Sequence, residues 1–159
     1  MRCKLELDKQ TDEYSPSEEI ITEWLNVALA YESSAHLECY NCITIDLAIL
    51  SAADSRSLNS QYRNMDKPTN ILSFNMDTPV SDTTYLLGSL AVCGSIMRQQ
   101  AIQANKSLIA HWAHIIIHGL FHLLGYDHIT DAQERTMASK EIAVLSQLGF
   151  NYQLPYTNI

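Results

Sequence analysis

Residues 114–128, HIIIHGLFHLLGYDH, form an apolar run that histidines interrupt. The length and apolar character of this run predict a helix from about Ser107 to Leu124. Gly125 predicts the end of the helix, because glycine readily adopts the left-handed backbone that a helix exit favours. The chain is therefore expected to turn back immediately after the helix.

The spacing of three histidines around this turn predicts a metal site. His118 and His122 lie one helical turn apart on the same face, so both imidazoles can reach one ion. A third ligand must come from outside the helix, and His128 follows the Gly125 turn. Three protein ligands leave a coordination position for water, which is typical of catalytic zinc sites. The alternative, a histidine-rich core helix with internally bonded imidazoles, does not account for the position of His128.

The residue that follows His118 narrows the class of reaction. Metzincin peptidases carry H-E-x-x-H-x-x-G-x-x-H, and their glutamate takes a proton from the water that the metal holds. The histidines and the glycine have the same offsets here, but Gly119 replaces the glutamate. A phosphodiester, which a metal and an arginine can bind together, is therefore a better substrate than a peptide. Two alternatives stay open: a peptidase with its base elsewhere, such as Asp127 or Glu134, and a non-catalytic protein whose metal only holds the fold.

Three further side chains near the motif each have two interpretations. His111 and His114 lie on the same helical stripe as His118. One interpretation is that they contact the metal-binding residues or the substrate. The favoured interpretation is that they are partly buried histidines without direct chemistry. Asp127 either orients an imidazole or accepts a proton, or it bonds to its own backbone in the turn. The sequence does not separate the two interpretations of Asp127.

Composition and charge restrict the class of protein. The chain has 159 residues, 47% of them hydrophobic, which suits one domain over residues 1–159 with a substantial core. Histidines in the most apolar run argue against a membrane span, and the alternating charge of the N-terminus argues against a secretory signal. We therefore expect a soluble cytoplasmic protein. A net charge of −8 argues against tight, non-specific binding of RNA or DNA.

Two smaller groups of residues give weaker signals. Arg56, Arg63 and Lys67 lie close together in the sequence and allow a local basic patch despite the net charge. Cys39 and Cys42 form a C-x-x-C before a strand instead of after one. We therefore interpret these cysteines as structural or incidental, and not as a redox pair or a second metal site.

Hydrophobic periodicity and turn residues predict the element order βαβαββααα. Strands are expected at CKLELD, CITIDLAIL, TNILSFN and LLGSLAV, with a loop at MDTPVSDTTY. Ser15, Pro16 and Glu18 predict the start of the first helix, and the last helix is expected from about Thr130 to just before Gly149. The fold class is therefore α+β, with a small mixed sheet of about four strands flanked by helices.

Three blocks of sequence resemble one family. HGLFHLLGYDH resembles H-G-x-x-H-L-x-G-Y-D-H, the signature of the bacterial YbeY family of rRNA-maturation endoribonucleases. LNSQYRNMDKPTNILSFN is similar to that family's L-N-x-x-Y-R-x-K-D-x-P-T-D-V-L-S-F segment, and LLGSLAVC is similar to its L-G-D-I-x-I block. The resemblance runs in order from about Leu58 to Phe150.

The resemblance implies a zincin-like fold and a metal-dependent endoribonuclease specific for single strands, usually described with zinc. It implies His118, His122 and His128 as metal ligands and Arg63 as the arginine near the site. We interpret Arg63 and His118 as catalytic, with Arg63 binding phosphate and stabilising the transition state. The alternative for Arg63 is a structural arginine that caps a helix. Nickel, cobalt or iron also suit three imidazoles.

The resemblance also implies a biological setting. The chain would mature the 3′ end of 16S rRNA and act in ribosome biogenesis and ribosome quality control. Its partners would be ribosomal RNA, a small-subunit ribosomal protein and a ribosome-assembly GTPase, without DNA or a membrane. The chain departs from the family pattern at Met65, Ser89 and Asn75, where a lysine, an acid and a proline are usual. The missing lysine and the net charge predict weak RNA affinity for the isolated protein and recruitment by a protein partner.

Overall fold

A computed structural model describes residues 2–32 and 36–151. The elements are β1 (Arg2–Lys9), α1 (Glu18–Glu32), β2 (Cys42–Leu50), α2 (Ala52–Arg63), β3 (Ile71–Pro79), β4 (Thr84–Cys93), α3 (Gly94–Gln103), α4 (Leu108–Leu123) and α5 (Asp131–Gln147). A short 3₁₀ turn, Leu37–Cys39, precedes β2. The predicted order βαβαββααα and the α+β class are confirmed.

The four strands form one mixed sheet in the order β1-β2-β4-β3. β1, β2 and β4 are parallel, and β3 pairs antiparallel with β4 at the edge. β2 alternates between buried and half-buried residues, and its Ile43, Ile45, Leu47 and Ile49 belong to the main core. Helices cover this face of the sheet, and the strand β3 stays at the margin, where the candidate site forms.

Helix α4 runs through the centre of the protein. Every residue from His111 to Phe121 is buried, and α1, α3, α5 and β3 pack around the helix. A helix that is apolar on all sides is expected to be buried in this way. The helix begins after Ser107, whose Oγ accepts a hydrogen bond from the Ala110 N–H at 3.2 Å. Burial of α4 gives its histidines fixed surroundings.

Helix α2 packs against the opposite face of the sheet. Leu58 of α2 contacts a small second core formed by Leu50, Leu72 and Ala91, with Phe74 beside them. Consecutive residues of a strand point to opposite faces, so the neighbouring Ile71 joins the main core instead. This arrangement brings the C-terminal end of α2 to the outer edge of β3.

Two sequence predictions are wrong in detail. The segment MDTPVSDTTY is mostly strand, because β3 continues to Pro79 and β4 already begins at Thr84. The pairing register shifts at Asp77, which has a φ of 44°, and this irregularity accommodates polar residues within a long hairpin. The first helix begins at Glu18, and the hydroxyl that accepts from the Ile20 N–H belongs to Ser17 instead of Ser15.

Across residues 2–32 and 36–151, no helix has both the length and the apolar character that a bilayer crossing requires.

Candidate metal centre

The three histidines of the motif come together at the end of α4. His118 and His122 lie on the last turns of the helix, and His128 follows Gly125, whose φ of 101° makes the turn. One ligand nitrogen from each residue lies within 4.8 Å of the other two. The Nε2 atoms of His118 and His122 are 3.1 Å apart. Among the residues that the structure describes, these side chains are the one group of three or more metal-ligating residues close enough to hold an ion.

The protonation state of the histidines suits a cation. Burial, followed by the repulsion from His128, lowers the pKa of His118 to about 3. Burial, with repulsion from His118 and His128, lowers the pKa of His122 to about 4. Both imidazoles are therefore neutral at pH 7, and a neutral imidazole is the form that binds a metal. The donor set fits a divalent ion such as zinc.

A buried glutamate from α5 orients the first histidine. Nδ1 of His118 lies 2.9 Å from Oε2 of Glu141, which is only 1% exposed. With the carboxylate ionised, Nδ1–H donates to it and the Nε2 lone pair points toward the other histidines. Burial raises the pKa of Glu141, while hydrogen bonding and charge interaction with His114 act in the opposite direction. Glu141 was not predicted from the sequence; its signal was a charged residue on the buried stripe between Met137 and Leu145.

The two other histidines of α4 lie behind this layer. His114 is buried, with Nε2 3.5 Å from Oε1 of Glu141, so it reaches His118 through a shared carboxylate. Nε2 of His111 lies 2.9 Å from Oε1 of Gln100, further along the helix. Neither histidine lines the cavity at the metal centre. Both are fully buried where partial burial was expected, and the interpretation as helix histidines without direct chemistry fits this placement.

The packing of Gly119 explains why no glutamate follows the first ligand. A Cβ atom built on Gly119 would lie 2.6 Å from Cδ1 of Ile71 and 3.0 Å from Cδ2 of Leu90. The residue therefore faces the sheet, where α4 approaches β3 and β4 closely. A glutamate at this position would meet these apolar side chains, which would have to shift to admit it.

The histidines open into a cavity of about 550 Å³ that also contains Arg63. Asp127 lines the cavity as well, and residues of β3 form one wall. The Arg63 guanidinium donates to the Ser73 carbonyl at 3.0 Å and to the Tyr62 carbonyl at 3.3 Å. The second bond is of the helix-end kind that the structural alternative for Arg63 requires. The fold thus brings the predicted arginine to the histidines while holding it at the edge of β3.

The two candidate bases occupy different positions. Asp127 lines the cavity, and its Oδ1 accepts a hydrogen bond from the His128 N–H at 2.8 Å. This bond is the local turn bond that one interpretation of Asp127 predicted, and it leaves the carboxylate next to a histidine. Glu134 is exposed in the first turn of α5 and is not among the residues that line the cavity.

A polar network fastens the loop that carries the third histidine. The Tyr126 hydroxyl donates to Oε2 of Glu32 at 2.5 Å, and Lys140 forms an ion pair with the same carboxylate. Nζ of Lys140 also lies 5.5 Å from the centre of the Tyr126 ring. Although burial opposes it, hydrogen bonding from Lys140 and Tyr126 lowers the pKa of Glu32. The loop is thereby tied to both α1 and α5.

The weaker sequence signals lie outside this site. Cys39 and Cys42 are not joined in a disulfide and do not belong to a second metal-ligating group within the described ranges. Arg56 pairs with Asp66 at 2.7 Å, so part of the expected basic patch is neutralised. Lys67 is exposed and does not line the cavity.

The chain is similar to known proteins over most of its length. A family model described as endoribonuclease YbeY matches residues 5–149. The endoribonuclease YbeY of Colwellia psychrerythraea is 40% identical over 136 residues, covering 86% of this chain and 86% of that protein. The solution structure of TM1509 from Thermotoga maritima has a TM-score of 0.52 and 17% identity, covering 92% of each chain. At that identity, the structural likeness bears on the fold alone.

Proposed function

Because the chain belongs to the endoribonuclease YbeY family, we propose that it is a metal-dependent endoribonuclease that cuts single-stranded RNA. The observation that carries this proposal is the shared cavity of three histidines and the guanidinium of Arg63. A metal and an arginine together suit a phosphodiester, which carries its own negative charge. The whole chain, residues 1–159, is proposed to be one catalytic domain.

The proposed ion is zinc, one per chain, held by His118, His122 and His128. Nickel or another divalent metal also suits three imidazoles. When bound, the ion would act as a Lewis acid toward a phosphoryl oxygen and lower the pKa of a water molecule. The protein contributes neutral imidazoles at His118 and His122, and Glu141 holds His118 in the required orientation. His118 is proposed as catalytic because it would hold the ion and because Glu141 fixes the orientation of its ring.

Arg63 is the proposed phosphate-binding residue. A guanidinium has five N–H donors, and the bonds to the Ser73 and Tyr62 carbonyls leave others for a phosphate. Those two bonds also restrict the side chain, so less conformational entropy is lost when substrate binds. A planar, permanently charged group can hold two phosphate oxygens at once and stabilise charge that develops on them.

The proposed biological role is the 3′-end maturation of 16S rRNA, with ribosome biogenesis and ribosome quality control, in the cytoplasm. The family supports an RNA substrate. The net charge of −8 supports delivery by partners, for which we propose a small-subunit ribosomal protein and a ribosome-assembly GTPase. Recruitment would replace the bulk electrostatic attraction that this chain lacks.

A peptidase is the weaker alternative. Its mechanism needs a base beside the ligands, and Gly119 packs against Ile71 and Leu90 where that base would be. Asp127 is the carboxylate left to act, and its Oδ1 already accepts the His128 N–H. This geometry favours a substrate that brings its own charge.

The test compares substrates and metal states in one preparation. Purified protein is incubated with labelled single-stranded RNA, the same RNA in a duplex, and casein, before and after chelation and after return of one equivalent of zinc. We expect cleavage of the single strand only, lost on chelation, restored by zinc and absent in His118→Ala. Arg63→Lys keeps the positive charge but loses the planar guanidinium that can hold two phosphate oxygens. It should lower kcat while the metal content is unchanged. Cleavage of casein with intact RNA would reject the proposal, as would a folded, zinc-loaded protein that cuts neither.

A further inference from the structure

An exposed aromatic ring lies directly beside the proposed phosphate-binding arginine. Tyr62 is the penultimate residue of α2 and is 53% exposed. Its ring meets the ring of Phe74 edge to face, with centroids 5.2 Å apart and an interplanar angle of 71°. Phe74 is half-buried against the second core, so the pair has one supported ring and one that faces solvent.

The guanidinium of Arg63 joins this aromatic pair to the metal centre. Its Cζ lies 5.4 Å from the centre of the Phe74 ring, and its Nη2 donates to the Ser73 carbonyl. Ser73 lines the cavity of the histidines, whereas Phe74 belongs to the opposite face of β3. Arg63 therefore spans the edge strand, with the cavity on one side and the rings on the other.

We propose that Tyr62, supported by Phe74, is a stacking platform for one unpaired base of the RNA substrate. The inference rests on the proposed function, since it places this base next to the phosphate that Arg63 binds. Aromatic side chains are the usual partners of unstacked bases in single-stranded RNA, and stacking accepts any base. Tyr62 becomes a substrate-binding residue outside the metal-ligand set.

The platform gives a physical origin for a preference for single strands. A base in a duplex is already stacked and paired, so it can cover Tyr62 only after leaving the helix, at a cost of a few kcal/mol. Stacking also needs no net positive charge, which matters for a protein with a net charge of −8. Contact with a neutral base can therefore contribute affinity where bulk electrostatics does not.

The test separates the ring from its packing. Tyr62→Leu removes the platform but keeps an apolar side chain on α2, and Tyr62→Phe keeps the ring. Tyr14→Leu removes another exposed tyrosine, 46% exposed, in the segment before α1. Each variant is assayed on single-stranded RNA with one mapped cut site, and on the same RNA with an abasic ribose placed in turn at the flanking positions. Thermal unfolding checks that the variants are folded.

We expect Tyr62→Leu to lower kcat/KM by about 5- to 150-fold, the range for loss of one stacked base, while the two other variants stay within about two-fold of wild type. One abasic position should penalise the wild type and not Tyr62→Leu. Equal abasic penalties in both proteins, or full activity of Tyr62→Leu, would overturn the platform. A wild type that cuts no RNA would instead reject the proposed function.

A binding measurement tests the platform even if the wild type cuts no RNA. 2-Aminopurine at the abasic-sensitive position, or scanned through a short single strand, is quenched when it stacks on an aromatic ring. Quenching by wild type and Tyr62→Phe but not by Tyr62→Leu supports the platform without any cleavage. RNA binding by the wild type with no quenching at any position contradicts the platform.

Discussion

The two sides of the metal centre are held in different ways. On the inner side, His118, His114 and Glu141 are buried between α4 and α5, and one carboxylate lies between two imidazoles. On the outer side, His128 and Asp127 are exposed on a loop. The inner side is fixed by core packing, whereas the outer side depends on a turn and a few hydrogen bonds. We infer that the inner side sets the geometry of metal binding and that the outer side receives the substrate.

The most damaging change should be a carboxylate on the packed side of α4. Gly119→Glu is expected to destabilise the protein by more than about 3 kcal/mol, because it combines overpacking with burial of a charge against Ile71 and Leu90. Urea unfolding of the metal-free protein measures the loss. Gly119→Ala is the control; it meets only flexible side-chain ends and regains about 1 kcal/mol of helix propensity, so it should cost much less. A stable Gly119→Glu with casein-cleaving activity would contradict the packing argument.

The stability of the folded protein should fall in acid because α4 contains a buried histidine. Burial, with a smaller contribution from Lys106, lowers the pKa of His111 to about 4. The unfolded chain takes up this proton near pH 6.5 and the folded chain only near pH 4, so stability falls as the pH decreases between these values. The contribution of His111 is about 3 kcal/mol over the whole window and is absent above pH 7. NMR titration of the metal-free protein should show a neutral His111 ring at pH 5.5; protonation near pH 6.5 would refute the burial argument.

Removal of the charge behind the first ligand should weaken metal binding. Glu141→Gln keeps the shape of the side chain but loses the anionic acceptor for Nδ1 of His118, so zinc affinity should fall by about 10- to 100-fold. Competition with a chromophoric chelator measures the affinity. Glu134→Gln, an exposed change on the same helix, should leave it unchanged. Equal affinities for the two variants would mean that the inner side does not set the geometry.

The smallest effect is expected where the outer loop is fastened. Tyr126→Phe removes the hydrogen bond to Glu32 and should destabilise the protein by about 1–2 kcal/mol, with only a few-fold loss of zinc affinity. Denaturant unfolding and the chelator competition measure the two quantities, with the exposed Tyr31→Phe as the control. A larger loss of zinc affinity than in Glu141→Gln would reverse the proposed ranking of the two sides.

The parts of the site that were predictable from sequence are those that local spacing encodes. One helical turn separates His118 from His122, and Gly125 has a backbone conformation that few other residues tolerate. The order of strands and helices followed from hydrophobic periodicity and from turn residues. The family motif placed Arg63 near the site, and the structure shows the route, around the edge of β3 to the Ser73 carbonyl.

What the sequence did not reveal depends on tertiary packing. Glu141 meets His118 only because α5 packs on α4, and the Tyr126 hydroxyl meets Glu32 across 94 positions of chain. The hairpin between β3 and β4 extends through residues with polar, turn-like character because its strands pair with each other. Local propensity carries no information about such partners.

A zinc titration of the chelator-treated protein, with bound metal and RNA cleavage followed together, tests most directly whether the three histidines form a catalytic metal site. We expect cleavage of a single-stranded RNA to rise in proportion to bound zinc and to reach its limit at one equivalent per chain. His118→Ala should show neither tight binding nor cleavage. Cleavage that persists in the metal-free protein, or tight stoichiometric binding that survives in His118→Ala, would contradict a catalytic metal site at the three histidines.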